Sequence, residues 1–112
     1  ERGTFFGYHR LVTDFIGLGD LREIAADFDA PTCFDVTHST QLPGGEGEMS
    51  GGRPDRGPLL ARAAVAAGIS AVFLETHVDP SSARSDRATV MPIDVATDLI
   101  GTLTRIRQVL DA

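Results

Sequence analysis

The chain has 112 residues, 42% of them hydrophobic, and a formal net charge of −6. That length supports one modest core and falls well short of the roughly 250 residues of a complete (β/α)8 barrel. The acidic balance argues against nucleic acid as a partner, because phosphate backbones are held mainly by clustered positive charge, and no apolar run nears the roughly 20 residues that cross a bilayer.

Residues 1–10, "ERGTFFGYHR", carry no helical period and are expected to form a loop. In the following "LVTDFIGLGDLREIAADF", Asp20 is the expected N-cap of a short helix through Ala26. "PTCFDV" (residues 31–36) is compact and rich in β-formers, which predicts a buried strand with Cys33 in its packing. "STQLPGGEGEMSGGRPDRG" has five glycines before Arg53 and two prolines, so it is expected to be a long loop, and long loops in compact domains are usually functional or mobile. "PLLARAAVAAG" predicts a helix stopped by Gly68. "ISAVFLE" (residues 69–75) predicts a second buried strand, "VDPSSARSDRATVMP" another polar loop, and Ile93, Leu99, Ile100, Leu103, Ile106 and Leu110 a closing amphipathic helix.

Strands that alternate with helices imply an α/β fold with a parallel sheet. Two apolar runs then end alike, in "FDVTHST" and "FLETHVDP". In a parallel sheet both endings face the side on which α/β folds bind ligands. His38, Glu75 and Asp86 would meet at that mouth, and an imidazole with two carboxylates suits a divalent ion such as Mn, Fe, Zn or Co. On pattern alone, polar residues that simply terminate strands are the commoner reading. His77 reads equally as an outer partner orienting a ligand or as a surface histidine; His9 reads as surface. Arg53 after "SGG", and Arg2 beside Gly3, read either as anion grips or as solvated loop arginines.

All 10 basic residues are arginine, so no lysine nucleophile, Schiff base or phosphate-binding lysine comes from this chain. The single cysteine excludes an internal disulfide and fits a reducing compartment. Without a signal-peptide pattern, the expectation is a soluble cytoplasmic protein. The first residue is Glu1 rather than Met, as expected of a processed, truncated or partly covered product. No catalytic triad is assigned to Ser39 or Ser50, and "LPGGEGEMSGG" matches neither a P-loop nor a dinucleotide fingerprint.

Three stretches, "ERGTFFGYHRLVTD", "FDVTHSTQLPGGEGEMSGGR" and "FLETHVDPSSARSD", together resemble the C-terminal part of the 3-deoxy-D-manno-octulosonate 8-phosphate synthases. The likeness runs in one register along nearly the whole chain; related 3-deoxy-heptulosonate phosphate synthases share the chemistry, but "THSTQLPGG" is closer to the octulosonate enzymes. The resemblance implies that residues 1–112 form one partial (β/α)8 barrel, from the end of the sixth strand to the last helix. It implies condensation of phosphoenolpyruvate with arabinose 5-phosphate, as part of lipopolysaccharide synthesis, by a cytoplasmic homo-oligomer that is tetrameric in the family. It places His38, Glu75 and Asp86 on the metal positions, with His38 and Asp86 catalytic, and an upstream cysteine other than Cys33 completing the set. It places Arg2 on phosphoenolpyruvate, and Gln41, Ser50 and Arg53 in a mobile loop that closes over the substrates. The lysines that hold phosphoenolpyruvate, and the residues that receive the sugar phosphate, would lie upstream. A different class of reading is a non-catalytic barrel fragment whose sheet edges pair with another copy.

Overall fold

The computed structural model describes residues 2–3, 9–46 and 49–112, and in them strands and helices alternate. Strand β1 (Arg2–Gly3) pairs antiparallel with β2 (Val12–Thr13), where a loop was expected. Helix α1 (Phe15–Asp27) follows. Its N-cap is Asp14, whose carboxylate accepts from the Gly17 amide at 3.0 Å. The expected cap, Asp20, therefore lies inside the helix. Gly17 and Gly19 weaken helix propensity, but Asp14 satisfies one orphan amide and Leu18 is buried, and those two terms start the helix early. Gly17 is also the residue that leaves space for the cap, since a Cβ there would lie 2.8 Å from Asp14 Oδ2.

Strand β3 (Cys33–Asp35) is followed by a 3-10 turn at His38–Thr40. The glycine-rich stretch expected as a loop then forms a hairpin, β4 (Gln41–Glu46) and β5 (Met49–Gly52), paired antiparallel with Gln41 opposite Gly52. Side-chain propensity does not announce these strands, because backbone hydrogen bonds make them. Gly52 brings the hairpin against the next loop: a Cβ at this position would lie 2.2 Å from the carbonyl oxygen of Ala88. A 3-10 turn at Pro54–Arg56 leads into α2 (Gly57–Ala66), and Gly68, with φ of +88°, ends that helical segment as expected.

Strand β6 (Ala71–Phe73) lies parallel to β3, in the register Cys33 to Ala71, Phe34 to Val72 and Asp35 to Phe73. Strand β7 (Thr76–His77) then pairs parallel with β8 (Met91–Pro92), a link too short to leave a pattern in sequence. A 3-10 turn at Pro80–Ser82 lies between them, and α3 (Ile93–Leu110) closes the chain. Among the described residues no helix is long and apolar enough to cross a membrane.

The core joins α2 and α3 to one face of the β3–β6 pair: Phe34, Val36, Ala61, Ala64, Val65, Ile69, Met91, Ala96, Leu99 and Leu103 pack together, with Leu18 of α1. The two strands were expected to be buried, and they are covered on one face. Successive strand side chains point to opposite faces, so Phe34 is buried while Cys33 and Ala71 are exposed and Phe73 is 44% exposed. Cys33 thus belongs to the open face rather than to the core. Asp35 stands on that same open face, at the end nearest His38.

Candidate metal centre

The geometry starts at the end of β3. Asp35 turns its carboxylate back onto the 3-10 turn: Oδ1 accepts from the backbone N–H of His38 at 2.9 Å, and Oδ2 lies 2.7 Å from His38 Nδ1. An ionised carboxylate only accepts hydrogen bonds, so this contact calls for a proton on Nδ1. The imidazole also stacks on Phe73, with centroids 6.0 Å apart. Nε2 then faces Glu75 Oε1 at 3.6 Å and Asp86 Oδ1 at 3.5 Å. One donor atom from each of the three residues lies within 4.8 Å of the others.

Each carboxylate is delivered by a separate constraint. Glu75 follows β6, and its backbone N–H donates to Thr37 Oγ1 at 2.7 Å while its carbonyl accepts from Met91 N at 3.0 Å. Thr37 is buried, so this bond ties the two ligand-bearing strand ends together away from water. Asp86 has φ of 53°, in the left-handed region that few non-glycine residues adopt and that aspartate tolerates better than most. Its carbonyl accepts from the amides of both Thr89 and Val90 at 2.8 Å, and these bonds hold the turn.

Two carboxylates and an imidazole, all only partly exposed, form a mixed nitrogen and oxygen donor set. A divalent ion fits these residues, with Asp35 behind the imidazole. Beside the cluster opens a cleft of about 410 Å³ lined by Phe73, Glu75, His77, Arg84, Ser85 and Val90, among others. Arg84 was not singled out in the sequence.

The other expected site residues are placed differently. Gln41 opens β4, half-buried, and its backbone N–H donates to the His38 carbonyl. Arg53 is turned to Asp55 rather than to the cluster, with Nε and Nη2 each 2.9 Å from a carboxylate oxygen. The hydrogen bond from Arg53 holds the Asp55 carboxyl below the usual range, and Asp55 in turn raises Arg53. The Arg53 backbone nonetheless bonds back to Thr40 O at 2.9 Å, which roots it close behind His38 in the chain path. The side chains of Arg2 and Ser50 lie outside the described residues. His77 does not serve as the outer partner: its Nδ1 accepts from the Asp79 amide at 2.9 Å. That role falls to Asp35, and the signal that could have found it was an acid three residues before a histidine at a strand end.

The DAHP synthetase I family matches residues 1–109. The chain belongs to that family. A 2-dehydro-3-deoxyphosphooctonate aldolase of Alkalilimnicola ehrlichii is 48% identical over 110 residues, 98% of this chain and 38% of the relative. The protein of the same name in Xanthomonas campestris pv. campestris is 50% identical over 106 residues, 95% of this chain and 37% of the relative. The chain therefore spans less than two-fifths of the length of these curated relatives. Among solved structures, a truncated form of 3-deoxy-D-arabino-heptulosonate 7-phosphate synthase from Thermotoga maritima is similar with a TM-score of 0.58 and 26% identity, covering 72% of this chain and 27% of that one. The likeness to the octulosonate-phosphate synthases holds, and the fold is the C-terminal part of a (β/α)8 barrel, with the open face of β3 and β6 as a segment of the barrel interior.

Proposed function

We propose that this chain supplies the C-terminal part of an enzyme that condenses phosphoenolpyruvate with arabinose 5-phosphate, giving 3-deoxy-D-manno-octulosonate 8-phosphate and phosphate. The observation that carries this reading is the convergence of His38, Glu75 and Asp86 at one strand-end mouth, in a chain 46–50% identical to relatives named for the octulosonate product. In this reaction the oxygen of water adds to C2 of phosphoenolpyruvate and C3 forms the new carbon–carbon bond to the sugar aldehyde. The C2–O bond to phosphate then breaks, and the electron pair leaves with the phosphate.

His38 Nε2, Glu75 and Asp86 would hold a divalent ion, with a further ligand from the upstream part of the barrel. When bound, such an ion supplies Lewis-acid polarisation of the aldehyde oxygen or of the attacking water. His38 and Asp86 would face the reacting atoms. Arg2 would neutralise charge on phosphoenolpyruvate. Gln41 and Ser50 belong to the hairpin of β4 and β5 and Arg53 follows it directly; this segment would cover the mouth and keep bulk water from a reaction that admits one water. Arg53 would exchange the Asp55 carboxylate for a substrate anion, since one guanidinium fork serves both. As in the family, the working form would be a cytoplasmic homo-oligomer.

The test is a chimera in which residues 1–112 replace the C-terminal part of an octulosonate-phosphate synthase relative. Phosphate release from phosphoenolpyruvate is expected only with both arabinose 5-phosphate and Mn²⁺ present, and is expected to vanish in Glu75→Ala. A folded chimera that binds Mn²⁺ through Glu75 but releases no phosphate with this sugar would overturn the substrate assignment.

A further inference from the structure

We infer that Asp35 is a positioning residue that selects the tautomer of His38 and thereby makes Nε2 a ligand. The inference rests on the metal reading above but concerns a residue that binds neither metal nor substrate in it. Asp35 makes two bonds to one residue, Oδ1 to the His38 backbone N–H at 2.9 Å and Oδ2 to Nδ1 at 2.7 Å. The first bond sets where the 3-10 turn begins, and the second sets how the ring is rotated within it. The Phe73 ring, 6.0 Å from the imidazole centroid, limits rotation on the remaining side. Phe73 is paired with Asp35 across the β3–β6 register, so both supports come from one rung of the sheet.

The chemistry of the pair makes the role specific. Two acceptor oxygens meet two N–H groups, and that match requires a proton on Nδ1, which in the neutral ring leaves the lone pair on Nε2. In Asp35→Asn, one oxygen becomes an NH2 group. If the amide oxygen keeps the backbone N–H, the NH2 faces Nδ1 and selects the form with the lone pair on Nδ1 and the proton on Nε2. That proton then points between Glu75 and Asp86, where a metal would have to sit. Asp35 has a 45% exposed side chain, so the isosteric change disturbs little packing.

Two readouts on the chimera described above, which supplies the upstream part of the barrel, test this. The first is the pair of ring ¹⁵N shifts of His38 in metal-free protein with the side chain neutral. The unsubstituted chimera is expected to show a protonated Nδ1 and a bare Nε2, and Asp35→Asn the reverse. The second is Co²⁺ affinity by chelator competition, expected to fall about 10- to 100-fold in Asp35→Asn, the range seen when an outer partner of a ligand is lost. Asp35→Glu, which keeps an acceptor-only group, is expected to retain the Nδ1–H form. An Asp35→Asn protein that is folded by circular dichroism and keeps Nδ1 protonated overturns the positioning role, as does unchanged Co²⁺ affinity. If the unsubstituted chimera binds no Co²⁺ the metal reading fails, while the ring shifts still decide the tautomer.

Discussion

The chain ends two strands with nearly the same words, "DVTH" at residues 35–38 and "ETH" at residues 75–77, and the structure uses them in opposite ways. In the first, the histidine faces the carboxylate cluster and the acid stands behind it as the orienter. In the second, the acid faces the cluster and the histidine turns away, its Nδ1 accepting from the Asp79 amide. The difference lies in what the backbone does next. After Asp35 it passes Val36 and Thr37 into a 3-10 turn, which folds His38 back over the strand end. After Glu75 it goes straight into β7, and the Asp79 amide that follows takes up His77 Nδ1. A dipeptide motif therefore carries no fixed role; the turn that follows it assigns one.

The largest effect that would break this comparison is on metal affinity. His38→Ala is expected to lower Co²⁺ affinity by more than the roughly 100-fold that loss of an outer partner costs, and His77→Ala to leave it nearly unchanged. Comparable losses in both variants would mean that the two endings act alike.

The threonines of the two endings sharpen the contrast in stability. Thr37 is 3% exposed and accepts the Glu75 amide, so Thr37→Val leaves that N–H without its partner and should cost about 1–3 kcal/mol in urea denaturation. Thr76 is exposed within β7, and Thr76→Val should change stability by no more than about 0.5 kcal/mol.

A smaller effect is expected at Cys33, on the open face of the same strand as Asp35. Cys33→Ser should leave both Co²⁺ affinity and stability unaltered, the latter within about 0.5 kcal/mol. Loss of metal in this variant would show that the ligand set has been read wrongly.

The smallest concerns Arg53, which is paired with Asp55 rather than with the cluster. The Asp55 carboxyl is held below its ordinary value first by the Arg53 hydrogen bond, against a weaker opposing effect of desolvation. A depressed folded value means that the pair's contribution is present above the unfolded carboxylate value and is lost as pH falls through the folded one. In an NMR titration of Arg53→Ala, the Asp55 midpoint should therefore move up toward the ordinary range. An unmoved midpoint would show that Arg53 does not hold Asp55 in solution and is already available to an anion.

Much of the fold was legible because it depends on local rules. The apolar run over residues 69–75, the alanine-rich helix stopped by Gly68 and the period of the last helix each follow from propensity and spacing, and their alternation implies a parallel sheet. His38 and Glu75 could be named from the sequence because they sit just beyond strand ends, while Asp86, in the loop between β7 and β8, joined them on a metal position through the family resemblance. Less legible were the elements held by the backbone alone. The hairpin over Gln41–Gly52 looks like a loop because glycine favours neither strand nor helix, and the two-residue strands β7 and β8 exist only as partners of each other.

By itself, then, the sequence determined an α/β chain of barrel type with a histidine and two acids near one mouth, since strand, helix and their order are set by short-range chemistry. Only the tertiary structure decided which face of β3 would be open, which of two like histidines would join the acids, and which acid would stand behind it. Those outcomes depend on the register of β3 against β6, on the bond from Glu75 N–H to Thr37, and on the left-handed turn at Asp86. Each joins residues through contacts that no local pattern records, and a shift of one position in the register would move Asp35 from the open face to the packed one.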